Sequence, residues 1–489
     1  MRLCLLRATF VGLIAVLVLG IGAWALLLRP VDQPRSNDPA WVFNHGSIGN
    51  EAAQGLPYWI WRVMPVVFPD LVPGKGRGYA EFGMAWERGE AVPVGFSEKT
   101  LGVIPRVSPN CAFCHQGSYR LEPEDPAQLV SAGAGTRVNV QAYVRFLAAA
   151  GDDPRFSAKY MMPAIERIAD LPWWERQLYR HLLIPLTRRA LHQQAVRFAW
   201  TETRPDWGPG RIDPFNPVKF ANLSLPDDGT IGNSDMMPLW SLASVEARDD
   251  YSVHWDGLLT DIHETVVAGA IGDGMTYKSW PQAEAAIAVM EDFVRHQSPP
   301  PSPFRTDLPS DDPYAVDAVE VARGREIFME TCAECHDSDG PRLRTVIPHD
   351  EIGTDRHRID MWTVEARDRY SAYEDRYNWG FEAFEKTDGY VATELIGLWL
   401  RGPYLHNGSV PNLAAMLTPP GDRPKTFWRG SDLVDTQRGG FVSTRNGDPW
   451  RETVRYDTTL PGNGNQGHAF GTDLPEREKA ALLAWLKTL

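Results

Sequence analysis

At 489 residues and 43% hydrophobic, the chain is long enough to bury a sizeable core and to divide into two or three domains. Its formal net charge of -14, with no basic stripe interleaved with stacking aromatics, excludes a nucleic-acid partner and suits at most a basic redox partner.

Arg2 and Arg7 precede an unbroken apolar run from Phe10 to Leu28, closed by Arg29-Pro30. The run is close to the roughly 20 residues that span a bilayer and longer than the about 7–15 residues of a signal-peptide core. Positive charge on the short side keeps residues 1–9 in the cytoplasm. The expectation is a single-pass anchor over 10–28 in a bacterial inner membrane, with the rest of the chain in the periplasm. Ala23-Trp24-Ala25 imitates a small-x-small cleavage site, but three leucines follow it and favour an uncleaved anchor. From 34 to 102 the chain is rich in aromatics and glycine, with Tyr58-Trp59-Ile60-Trp61 and Val66-Val67-Phe68 as core clusters.

Cys111-Ala112-Phe113-Cys114-His115 is a Cys-x-x-Cys-His run, and Cys332-Ala333-Glu334-Cys335-His336 repeats it. A lone Cys-x-x-Cys serves equally as a redox dithiol or half a zinc site. Two copies, each followed by His, point instead to two covalently bound haem c groups. The thiols form thioethers and His115 and His336 ligate the irons. Of five cysteines only Cys4 is left over, so no structural disulfide is expected. Export agrees with this, because c-type haem is attached outside the bacterial cytoplasm.

The residues before Cys111 lack helical periodicity, so the first motif is expected on a loop. Stretches 138–150, 160–189 and 280–296 read as helices. Trp207 to Lys219 is a Gly- and Pro-punctuated loop whose Arg211 suits either a haem propionate or a surface salt bridge. Residues 298–313 carry six prolines in extended spacing and form a linker. It separates an N-terminal haem domain, 29–297, from a C-terminal cytochrome c domain, 314–489. A helix over 315–329 leads into Cys332, and Asp473 is placed to cap a last helix starting near Pro475. That pair crosses beside the haem in small cytochromes c. The predicted fold is therefore mainly α with long irregular loops: two cytochrome c-like haem domains behind an N-terminal transmembrane helix.

The order Cys-x-x-Cys-His, Pro238-Leu239-Trp240-Ser241-Leu242, His254-Trp255-Asp256-Gly257 and Glu264 resembles the bacterial di-haem cytochrome c peroxidases, as does the stretch from Gly402 to Pro411. Pro93-Val94-Gly95-Phe96-Ser97, Gly208-Pro209-Gly210-Arg211, Arg423-Pro424-Lys425-Thr426-Phe427 and Gly467-His468-Ala469-Phe470-Gly471-Thr472 are similar to the rubber oxygenase branch of that superfamily. The resemblance implies one haem, usually the first, that is open to peroxide or dioxygen, and a second that is six-coordinate and moves electrons. It also points to His468 as the second haem's distal ligand, with His406 as the alternative. For the first haem, Trp240 and Trp255 would line a dry distal pocket that His254 either leaves open or closes by ligation. One departure stands out: Met275 occupies the position of the peroxidases' acid-base glutamate, and Asp273 is the nearest carboxylate.

These readings leave an oxidoreductase fed by a redox partner protein or a quinol-linked donor, and an alternative, a pure electron-transfer cytochrome with both irons six-coordinate. A scaffold whose haems are merely structural is disfavoured, because covalent haem is a tuned redox group.

Overall fold

A computed structural model describes residues 2–27, 29, 36–74, 76–377 and 384–489 of the chain. The N-terminal expectation needs correcting. A helix does run over Arg2–Leu27, but among the described residues no helix is long and apolar enough to cross a membrane. The single-pass inner-membrane assignment, and the periplasmic placement resting on it, are therefore withdrawn. The side chain of Cys4 and residue Leu28 lie outside the described residues.

The predicted fold class is also revised. Seventeen α-helices among the described residues are joined by one three-stranded and four two-stranded antiparallel sheets. The first motif follows a β-hairpin, not a cytochrome-type helix. Strands Phe96–Leu101 and Ile104–Pro109 pair around Gly102, whose φ is +64°, and Leu56–Pro57 adds the third strand. The expected 160–189 helix is broken as well. Ala158–Ile165 ends before Pro172, and a helical rod then runs from Trp173 to Phe198 through a π-helical turn, Tyr179–Leu183. Val140–Asp152 packs against this rod.

Aromatic packing holds the N-terminal half. Trp61 stacks on Tyr79 at 4.3 Å, its indole N–H donates to Tyr143 at 3.0 Å, and Phe96 meets Phe113 edge-on at 5.0 Å. Phe113, inside the first motif, is thus a core residue. In the C-terminal half, Ala318–Thr331 crosses Glu476–Lys487 as expected. The crossing is so tight that a Cβ on Gly324 would lie 2.0 Å from the Ala481 carbonyl oxygen. The last helix starts after Pro475 without the side-chain cap anticipated from Asp473. The proline-rich segment packs onto this half: Trp399 donates to the Pro300 carbonyl at 3.2 Å and Ser302 to that of Lys487 at 2.6 Å.

Buried ion pairs join the halves. Arg120 binds Asp432 at 2.8 Å and also Asp448, Arg358 binds Asp256 at 3.0 Å, and Arg429 binds Asp235.

Candidate functional site

The first motif is placed by its neighbours on both sides. Asn110 accepts from the Ala112 N–H at 3.0 Å and donates to the carbonyls of Phe43 and Gly46 at 3.2 and 3.0 Å, fixing a 3-10 turn over Cys111–Phe113. Gly95 backs that turn at φ +88°, and a Cβ there would sit 2.3 Å from the Phe113 Cα. The glycine of the Pro93–Ser97 stretch is therefore a close-approach residue. His115 then donates its Nδ1–H to the Met237 carbonyl at 2.7 Å. Burial lowers its pKa, so the ring is neutral, with Nε2 as the nitrogen left for a metal.

Cys114 and His115 line a cavity of about 960 Å³, at the upper end of the ~300–1,000 Å³ of ligand and cofactor pockets. His254, Trp255, Asp273 and Arg358 line it too. His254 sits at φ +64° among Phe215 and Phe384, with ring centres 5.7 and 5.9 Å away. Its Nε2 is buried without a hydrogen-bond partner, and burial pulls its pKa down to about 4. Trp255 donates to the Asp235 carbonyl at 2.9 Å. Asp273 is half-buried on the wall of this cavity, and desolvation raises its pKa to about 7. Met275, at the glutamate position, is a buried core residue.

Two expected residues lie elsewhere. Trp240 is not among those lining the cavity; it packs with Trp399, Phe304 and Tyr314, beneath the Arg401 guanidinium at 5.7 Å. Arg211 is buried, donates to the Trp207 carbonyl at 3.2 Å and to Asn463 at 2.8 Å, and covers the ring of Tyr456. Its Nε has no partner, so a buried guanidinium N–H remains for an anion such as a propionate.

The second motif follows Ala318–Thr331 directly, with Ala333–His336 as a short helix. His336 repeats the arrangement of His115: its Nδ1–H donates to the Thr393 carbonyl, also at 2.7 Å. Opposite stands His468, with ring centres 6.2 Å apart. A metal–imidazole bond is about 2 Å long and a ring centre lies ~1 Å behind its ligating nitrogen, so two imidazoles on one metal hold their centres about 6 Å apart. Burial keeps His468 neutral, its pKa pulled down to about 3. His406, by contrast, lies flat on Tyr390 at 3.9 Å, with its Nε2 unpartnered.

Sequence reasoning missed what holds His468. Arg423 donates to the carbonyls of Asn465, Gly467 and His468 at 2.7, 2.8 and 2.9 Å, and to Thr418 and Met416 at 3.2 and 3.3 Å. The Arg423–Phe427 stretch was visible as a motif, but its role was not. The Met237 and Thr393 carbonyls carry no sequence signal at all, since any residue supplies one.

Both motifs fit a haem. Each offers two thiols, a neutral histidine locked by its far nitrogen, and either a cavity or an imidazole at iron-bridging distance.

Residues 389–429 match the family described as RoxA-like, cytochrome c-like. Two Sinorhizobium fredii proteins are also similar. Uncharacterized protein y4iJ is 44% identical over 109 residues, 20% of this chain and 18% of its own length. Uncharacterized protein y4iM is 29% identical over 186 residues, 32% of this chain and 42% of its own. The chain thus spans less than half the length of the curated relatives it matches. The matched segment runs from strand Gly389–Val391 through His406 and Arg423 to Arg429. It is cytochrome c-like, which implies haem c and a cytochrome-type redox role.

Proposed function

We propose that the chain is a di-haem c-type oxidoreductase, with one covalent haem on Cys111, Cys114 and His115 and a second on Cys332, Cys335 and His336, one in each half about the 298–313 segment. When bound, the first haem supplies an iron open to peroxide or dioxygen and the second an electron-transfer centre.

The observation that carries this reading is the inequality of two otherwise matched sites. Both histidines are locked by a carbonyl at 2.7 Å, but one faces an imidazole and the other shares a large cavity. His468, facing His336, would hold the iron of a haem bound there together with His336 and would keep small ligands from it. Arg423 fixes the loop that presents it. At the first site, Phe215, Phe384 and Trp255 exclude water. The Asp273 carboxyl, raised to about 7 by burial, holds or releases a proton near neutral pH, as a general acid-base group must. Asp273 takes over from the missing glutamate. Electrons come from a redox partner protein or a quinol-linked donor.

A second reading, electron transfer alone, draws on His254. A neutral, buried imidazole with an unpartnered Nε2 on the cavity wall is a competent sixth ligand.

The di-haem reading is tested by pyridine haemochrome stoichiometry on the intact protein. Two haems per chain are expected, and one each after Cys111→Ser/Cys114→Ser or Cys332→Ser/Cys335→Ser. One haem in the unmodified protein refutes the assignment.

A further inference from the structure

The helical rod 173–198 presents to solvent a face that is both apolar and basic. Trp173 is 74% exposed, Val196 66% and Leu186 52%, and Trp174 is exposed beside them. Tyr160, on the helix packed against the rod's π-helical turn, adds to this surface. Large apolar side chains gather in water in such numbers where something covers them. Within 173–198 the acidic count is one, Glu175, against Arg176, Arg180, Arg188, Arg189 and Arg197. This local excess of positive charge sits on a chain whose net charge is -14. Arg180, Arg189 and Arg197 are exposed, with no ion pair among the described residues.

Tryptophan prefers the headgroup level of a bilayer, and arginines along an amphipathic helix bind anionic lipid. The face is a strip about 39 Å long at 1.5 Å per residue, with its cations spread along it. A plane of headgroups matches that shape better than a protein epitope, which would concentrate its binding in a few pocketed anchors. The strip also meets the first site. Leu186, Ala190, Gln193, Val196 and Arg197, all exposed, line the 960 Å³ cavity that holds Cys114 and His115.

We propose that the outer face of the rod docks peripherally on an anionic lipid bilayer, with the cavity of the first motif opening onto that surface. Apolar molecules dissolved in the bilayer then reach the cavity without crossing water. The docking rests on this face alone; it does not involve residues 2–27 and holds whether or not the first site is reactive.

The test uses the full-length holoprotein in a Cys4→Ser background, with Val196→Cys carrying an environment-sensitive fluorophore. Vesicles of phosphatidylglycerol and phosphatidylcholine should blue-shift the label, and brominated lipid should quench it. Apparent affinity should fall roughly 100-fold on phosphatidylcholine alone, three unpaired arginines counting about fivefold each. Arg180→Gln/Arg189→Gln/Arg197→Gln should show the same fall on anionic vesicles, and Trp173→Ser/Trp174→Ser should weaken the shift. A label that stays in water while the protein floats with the vesicles overturns the proposal, because attachment then runs through another segment. Equal shifts on both vesicle types overturn it too, as does a shift that grows with protein concentration without lipid, which would make the face a contact between copies.

Discussion

Replacing Asp432 by Asn should uncouple the two halves of the molecule. The Asp432 side chain is fully buried and accepts from Arg120 Nε at 2.8 Å, Ser118 Oγ at 2.8 Å and Arg451 Nε at 3.0 Å, with Arg137 at 3.6 Å. Burial pushes its carboxyl up, but the guanidiniums of Arg137, Arg451 and Arg120 overcome this and hold its pKa at about 2. In the Asn variant Arg120 keeps Asp448, whereas Arg137 and Arg451 lose their shared counter-charge. Stranding buried charge costs about 3–5 kcal/mol, and the retained Asp448 pair places the loss near the lower figure. That is a large share of the roughly 5–15 kcal/mol available to a folded domain. Guanidinium chloride unfolding, followed by circular dichroism and Soret absorbance, measures it. The pH dependence gives a second check. A carboxyl depressed in the folded state stabilises above its unfolded pKa, and that stability disappears as pH falls through the folded value. The unmodified protein should therefore lose about 2 kcal/mol between roughly pH 5 and pH 2, and the Asn variant should lack that component. An unfolding midpoint within about 0.5 kcal/mol of the parent would refute the reasoning.

Four further outcomes follow from the sites. His468→Ala should convert the second haem from low to high spin, with added imidazole restoring the parent spectrum; an unchanged spectrum removes His468 as ligand. Arg423→Lys, unable to serve five carbonyls, should leave His468 easier to displace, with cyanide binding at the second haem roughly tenfold tighter for about 1.4 kcal/mol lost; equal titrations would contradict the clamp. Gly95→Ala should halve haem stoichiometry, because its Cβ would collide with Phe113, and full loading would show that the turn tolerates it. With Asp273 ionising at about 7, peroxide turnover should change with pH around neutrality and become flat there in Asp273→Asn; an identical profile clears Asp273 of a proton role.

The two motifs were legible as motifs because each is local. Cys-x-x-Cys-His is five consecutive residues, and the helix Trp280–His296 follows its apolar spacing to the residue. The crossing pair beside the second motif was readable for the same reason. The small sheets were not: Leu56 pairs with Val107, and a two-residue strand has no period to detect. The break before Trp173 comes from Pro172, which a periodicity reading over 160–189 passed across. Arg120 and Asp432 are 312 positions apart, so no pattern could join them. The cavity is lined from Ala53 to Phe384, a property of the fold rather than of any stretch. At the N-terminus, the apolar run over 10–28 led to the expectation of an anchor, whereas among the described residues no helix is long and apolar enough to cross a membrane.

The central claim is that the two haems are unequal. Low-temperature electron paramagnetic resonance of the oxidised holoprotein, paired with carbon monoxide titration after reduction, tests it most directly. One high-spin and one low-spin signal, with one carbon monoxide bound per chain, is the predicted result. Two low-spin signals and no carbon monoxide binding would make the protein an electron carrier with His254 on the first iron, and would contradict the account.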